Sequence, residues 1–170
     1  MARLNRLSGL VLIALLLAAG ASSQARAAEP INLGDDGWYT WRVASAGEYD
    51  EEQFYVQLKS GSPKEIEIVG HWCNNWKRSD KKYPEATDLG LLDTDTSIDW
   101  LQQHTGERSD LSSDALAAIS MHEGTRAVQI LIDVVESDAH MDIREEAVFW
   151  MAQSDSEEAF DYLDRLLMID

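Results

Sequence analysis

ALAAISMHEGTRAVQILIDVV (Ala115–Val135) and AVFWMAQSDSEEAFDYLDRLL (Ala147–Leu167) carry the same apolar pattern twice. Sliding the chain by 32 positions places Ala115 on Ala147, Leu116 on Val148 and Ile119 on Met151. After a polar break, Ala127 falls on Ala159, Val128 on Phe160, Ile130 on Tyr162, Leu131 on Leu163, Val134 on Leu166 and Val135 on Leu167. A fixed period of this size, built from short helical patterns, signals stacked helical hairpins. Such stacks present extended surfaces to other macromolecules, so the repeat points to an adaptor rather than an enzyme.

The spacing within each copy specifies helices. Ala127, Val128, Ile130, Leu131, Val134 and Val135 form an apolar stripe at helical period, and Gln129, Asp133 and Glu136 fall off it. The copy repeats the stripe with Ala159, Phe160, Tyr162, Leu163, Leu166 and Leu167, leaving Asp161, Asp164 and Arg165 to water. Each is preceded by a shorter helix, over Ser113–His122 and Ile143–Gln153. The breaks His122-Glu123-Gly124-Thr125 and Ser154-Asp155-Ser156-Glu157 carry turn and cap residues. Ser156 followed by Glu157 and Glu158 reads as an N-cap with acids in the first turn, where the helix dipole favours them.

The run from Asp142 to Ser154 (DIREEAVFWMAQS) resembles the first helix of a HEAT repeat, with Asp142 and Arg144 matching the Asp and Arg near the turn between repeats. The resemblance covers about Asp110 to Leu167 and implies an α-solenoid whose concave or lateral face binds partners. More loosely, the whole chain is similar to exported bacterial proteins in which a Trp-rich β segment precedes such repeats.

The N-terminus predicts export. Arg3 and Arg6 precede an apolar run, Leu7–Ala19, and Ala25-Arg26-Ala27 supplies a small-x-small cleavage signal. Cleavage after Ala27 is expected, giving a periplasmic or secreted protein; an uncut membrane anchor is the competing reading. The formal charge is −17, and removal of Arg3, Arg6 and Arg26 leaves 11 basic against 31 acidic residues, or −20. Such a polyanion is repelled by nucleic acid and by anionic lipid, which excludes both as partners. A basic partner is attracted, although acidity also serves solubility.

Residues 28–93 have a different texture. Trp38–Val43 alternates, with Tyr39, Trp41 and Val43 on one face and Trp38, Thr40 and Arg42 on the other. Phe54, Val56 and Leu58 alternate with Tyr55, Gln57 and Lys59; Ile66 and Ile68 alternate with Glu65, Glu67 and Val69. A fourth short strand runs through Leu89–Leu92. The expected unit is a small antiparallel β-meander with one buried face. A bridging helix over Ile98, Trp100 and Leu101, capped by Asp95 or Thr96 and ended near Gly106, occupies residues 94–109. Residues 110–170 form the repeats, so the fold class is α+β: a small β domain followed by a short array of HEAT-like hairpins.

Motifs for chemistry are sparse. His71 and Cys73 are two apart and form half of a metal site, but His104, His122 and His140 are scattered, so no metal or other cofactor is expected. Cys73 is the only cysteine, which rules out an internal disulfide. Asp93-x-Asp95-x-Ser97-x-Asp99 starts like a calcium loop, then fails, with Ile98 at the Gly position and His104 at the bidentate Glu position. No phosphate loop, HExxH or GxSxG occurs, and no catalytic residue is assigned.

Two binding surfaces compete. An array that stops after its second hairpin leaves Phe149, Trp150, Tyr162 or Leu166 uncovered, rimmed by Glu145, Glu146 and Asp161. That surface fits a basic protein partner or a second copy of the chain. The alternative is a carbohydrate- or peptide-binding platform on the Trp-rich sheet, using Trp38 and Trp76 as outward-facing rings, with Lys77, Arg78, Lys81 and Lys82 as a basic island beside them. In the bland account the tryptophans simply fill the core.

Overall fold

The alternation at Trp38–Val43 becomes strand β1, Gly37–Ala44, with Trp41 and Val43 fully enclosed and Tyr39 beside them. β1 pairs antiparallel with β2, Glu51–Lys59, placing Trp41 opposite Phe54. β2 pairs antiparallel with β3, Ser62–Val69, placing Val56 opposite Ile66. This computed structural model describes residues 30–45, 51–69, 83, 85–154 and 156–168. The β2–β3 turn puts Ser60 and Gly61 at φ of 57° and 70°. Their backbone N–H groups donate to the Asp36 carboxylate at 2.7 and 2.9 Å, which fixes the turn and holds the Asp36 carboxyl below its ordinary range.

The fourth strand departs from the expected meander. β4, Thr87–Leu91, lies beside β1 and runs parallel to it, giving the order β3-β2-β1-β4. The sheet is therefore mixed. Parallel pairing needs a long crossover, and β3 and β4, at opposite edges of the sheet, are joined by the connection between Val69 and Thr87. His71, Cys73, Trp76 and the basic Lys77, Arg78, Lys81 and Lys82 fall in that connection, outside the described residues; the N-terminal segment expected to direct export also lies outside them.

Five helices follow among the described residues: α1 (Thr94–Gln102), α2 (Asp110–Ser120), α3 (Thr125–Glu136), α4 (Met141–Gln153) and α5 (Glu157–Leu167). The cap of α1 is Asp93, two or three residues earlier than the expected Asp95 or Thr96. Its carboxylate accepts from the N–H groups of Asp95 and Thr96 at 3.0 and 3.4 Å, so the failed calcium loop works as a cap. Asp95 and Asp99 instead hold Arg126 of α3. Ser109 caps α2 through the Ser112 N–H, and Ser156 caps α5 through the Ala159 N–H, the latter as its sequence suggested.

The molecule is α+β, and its sheet and helices share one hydrophobic core from Tyr39 to Tyr162. Trp100 of α1 meets Trp41 edge-on at 5.4 Å between ring centroids, joining helix to sheet. α2 lies between β3 and α4, while α3 packs on α4 and touches α5, so each helix of the first hairpin neighbours its counterpart in the second. A smaller cluster of Tyr55, Val69 and Tyr83 lies apart from that core, with Trp38 packed against it.

Candidate functional site: the flank of the terminal hairpin

α4 buries a narrow stripe, Ile143, Ala147 and Met151, at i, i+4 and i+8. The rest of its surface faces water or a neighbouring helix. Arg144 Nε donates to the Val135 carbonyl oxygen at 2.6 Å, satisfying a carbonyl in the last turn of α3. Asp142 pairs with Arg108 at 2.8 Å. Trp150 is half-buried, and its indole N–H donates to Glu146 Oε1 at 3.0 Å. Phe149 stands edge-on to Trp150 at 5.1 Å and is 51% exposed.

α5 divides its apolar residues between two stripes. Ala159 and Tyr162 are buried toward the core, with the Tyr162 hydroxyl near the Glu136 carboxylate. Burial, reinforced by the Glu136 charge, pushes the Tyr162 phenol above its ordinary pKa. The Arg165 guanidinium sits 5.8 Å from the centre of the same ring. The adjoining stripe is uncovered: Phe160 is 51% and Leu167 83% exposed, and Leu166 at the edge is 38% exposed.

The expected surface thus separates. Phe149 and Leu166 are exposed; Trp150 is half-buried; Tyr162 is a core residue, because it lies on the stripe of α5 that faces Glu136 and α3. Glu145 and Asp161 are exposed, while Glu146 is partly covered and engaged with Trp150. Phe160 and Leu167 complete the exposed apolar residues of α5 and were missed as site residues. Their signal was present: they align with Val128 and Val135, which another hairpin covers in the first copy.

On the sheet, Trp38 is not the outward-facing ring expected of a ligand platform. It is half-buried, 4.2 Å from the Tyr83 ring, and Tyr83 in turn packs on Tyr55 at 4.7 Å. Among the described residues, no group of three or more His, Cys, Asp or Glu is placed to hold a metal ion, and no helix is long and apolar enough to cross a membrane. Ser97 and His122 form a hydrogen-bonded pair, but both are enclosed, at 0% and 1% exposure, beyond the reach of a substrate.

No model of a known protein family matches the chain, and no curated protein or solved structure matches it.

Proposed function

We propose that this protein is an exported, non-catalytic interaction module of the HEAT-repeat kind, which docks a basic helical partner on the flank of its terminal hairpin. The observation that carries the reading is the mismatch between sequence and burial in α5. Phe160, Leu166 and Leu167 occupy positions whose counterparts Val128, Val134 and Val135 are buried under neighbouring helices. A surface patterned like one that a hairpin covers suits a helix laid along it. Exposed Glu145, Glu157, Asp161 and Asp164 supply an acidic surround, consistent with a net charge of −17, and favour basic residues on the incoming helix. Side chains on the flank supply the apolar anchors, and the carboxylates steer and orient the partner.

A photo-crosslinking side chain at position 160 or 167, with position 64 on β3 as control, tests this in the source cell. The expected product is one discrete adduct from the α5 positions and none from the control. Leu167→Ser should then weaken the purified pair by about tenfold, the order expected for an apolar anchor, while changing stability by less than about 0.5 kcal/mol. An adduct with the chain itself, together with a dimer that dissociates on dilution, would assign the flank to self-association. A monomer without adducts at either α5 position would refute the docking surface.

A further inference from the structure

The junction between sheet and helices contains a buried hydrogen-bond chain with a single possible direction. His122 follows α2, and its Nδ1 lies 2.8 Å from the Ala118 carbonyl oxygen. A carbonyl only accepts, so Nδ1 carries the proton and Nε2 of the neutral ring is an acceptor. Nε2 lies 2.8 Å from Ser97 Oγ, which therefore donates to it. Ser97 Oγ in turn accepts from the Trp41 indole N–H at 2.8 Å. The Phe54 ring stacks on the imidazole, 5.2 Å between centroids and 6° from parallel, and Ser45 bridges to His122 through the backbone. One ring thus links β1, β2, α1 and the end of α2.

We propose that this chain is an acid-sensitive latch: a proton on His122 reverses the polarity of the Ser97 bond and loosens the helices from the sheet. A protonated Nε2 must donate, and the Ser97 hydroxyl, already receiving the indole N–H, then loses the acceptor for its own proton. The positive charge is also created in an enclosed, stacked environment. The groups facing the ring are few. β1 presents Trp41, and Ser45 follows it; β2 presents Phe54 and, two residues before it on the same face, Glu52, whose Oε1 accepts from Ser45 Oγ at 3.3 Å. α1 presents Ser97, with His104 further along against Trp100, and α2 presents the carbonyls of Ala118 and Ile119. Glu123, next in the chain, is exposed.

Burial lowers the His122 pKa from 6.5 to about 4, against the opposing pull of the two carbonyls. The unfolded or opened ring regains its ordinary value, so the opened state binds more protons between those limits. The stabilisation is complete above pH 6.5 and is lost as pH falls toward 4.

The test measures amide exchange of the full chain at pH 7 and pH 4.5, corrected for intrinsic rates, in the wild type and in His122→Gln, which leaves Glu52 in place. The opening constant for α1 and α2 amides is expected to rise by roughly 50- to 100-fold on acidification in the wild type, and by much less in the variant. Equal pH dependence in the two proteins would overturn the latch. If the variant does not fold, the wild-type imidazole Cε1–H titration decides. Titration near 4 accompanied by loss of α1 protection supports the latch; titration near 6.5, or protonation that leaves α1 protected, overturns it.

Discussion

α3 and α5 carry superimposable apolar stripes, yet only α3 is enclosed. All six stripe residues of α3, Ala127 to Val135, are buried, whereas of their counterparts in α5 only Ala159 and Tyr162 are. The ends are formed differently too. α3 starts at Gly124, which makes no side-chain cap bond, and has no acid in its first turn. α5 starts at a capping Ser156, with Glu157 and Glu158 in its first turn and Arg165 in its last. α3 is held by tertiary burial, while α5 leans on local helix chemistry and on two anchors. A stripe specifies which residues are able to face a neighbour; the presence of the neighbour specifies whether they do.

The comparison is sharpest in a matched pair of truncations. Leu131→Ala removes an enclosed side chain between neighbouring helices and is expected to cost about 3 kcal/mol in urea unfolding. Leu163→Ala, at the equivalent half-buried position, should cost about 1 kcal/mol or less. Equal losses would mean that α5 is as firmly packed as α3, and the contrast would fail.

A smaller effect is expected at the start of α3. Gly124 has φ of 93° and ψ of 169°, a region that residues with a Cβ rarely occupy. No atom crowds the site where a Cβ would stand, so strain there is purely conformational. Gly124→Ala should lower global stability by about 2 kcal/mol, read as a shift of the unfolding midpoint without a change of slope. A neutral result would show that the turn relaxes, and that α3 is less constrained at its entry than its burial suggests.

The smallest effect belongs to α5. Ser156→Ala should cost about 1 kcal/mol, appearing as faster amide exchange confined to the first turns of α5. If exchange accelerated across α3 as well, the terminal hairpin would be cooperative with the rest of the core and not a weakly held edge.

Much of this was legible from residue patterns. The alternation at Trp38–Val43 predicted both β1 and its buried face, and the 32-residue repeat predicted four helices with boundaries within about three residues. The direction of β4 was not legible. Leu89–Leu92 looks the same whether it pairs parallel or antiparallel, and its pairing with β1 across the sheet decides. The site was half legible: Phe149 and Leu166 were identified as uncovered, but Tyr162 proved to be core and Phe160 and Leu167 took its place. A wide apolar stripe leaves open which of its edges turns inward. Tyr162 is drawn in because its ring joins the hydrophobic core that the earlier helices form, with Glu136, 26 positions earlier in the chain, near its hydroxyl.

His122 shows the same division most clearly. In the sequence it is one of four scattered histidines, beside a Gly in a helix break. Its enclosure and its bond to Ser97 arise when α1, α2, β1 and β2 converge on one point. The sequence by itself determined the α+β class, the helical periodicity of the C-terminal part, the Ser156 cap and the strongly acidic character, because these follow from local periodicity and composition. Only the tertiary structure decided the parallel edge strand, the inward turn of Tyr162, the uncovered flank of α5 and the buried Trp41–Ser97–His122 chain. Each depends on contacts between residues far apart in the chain, where the partner, and not the local pattern, sets burial and polarity.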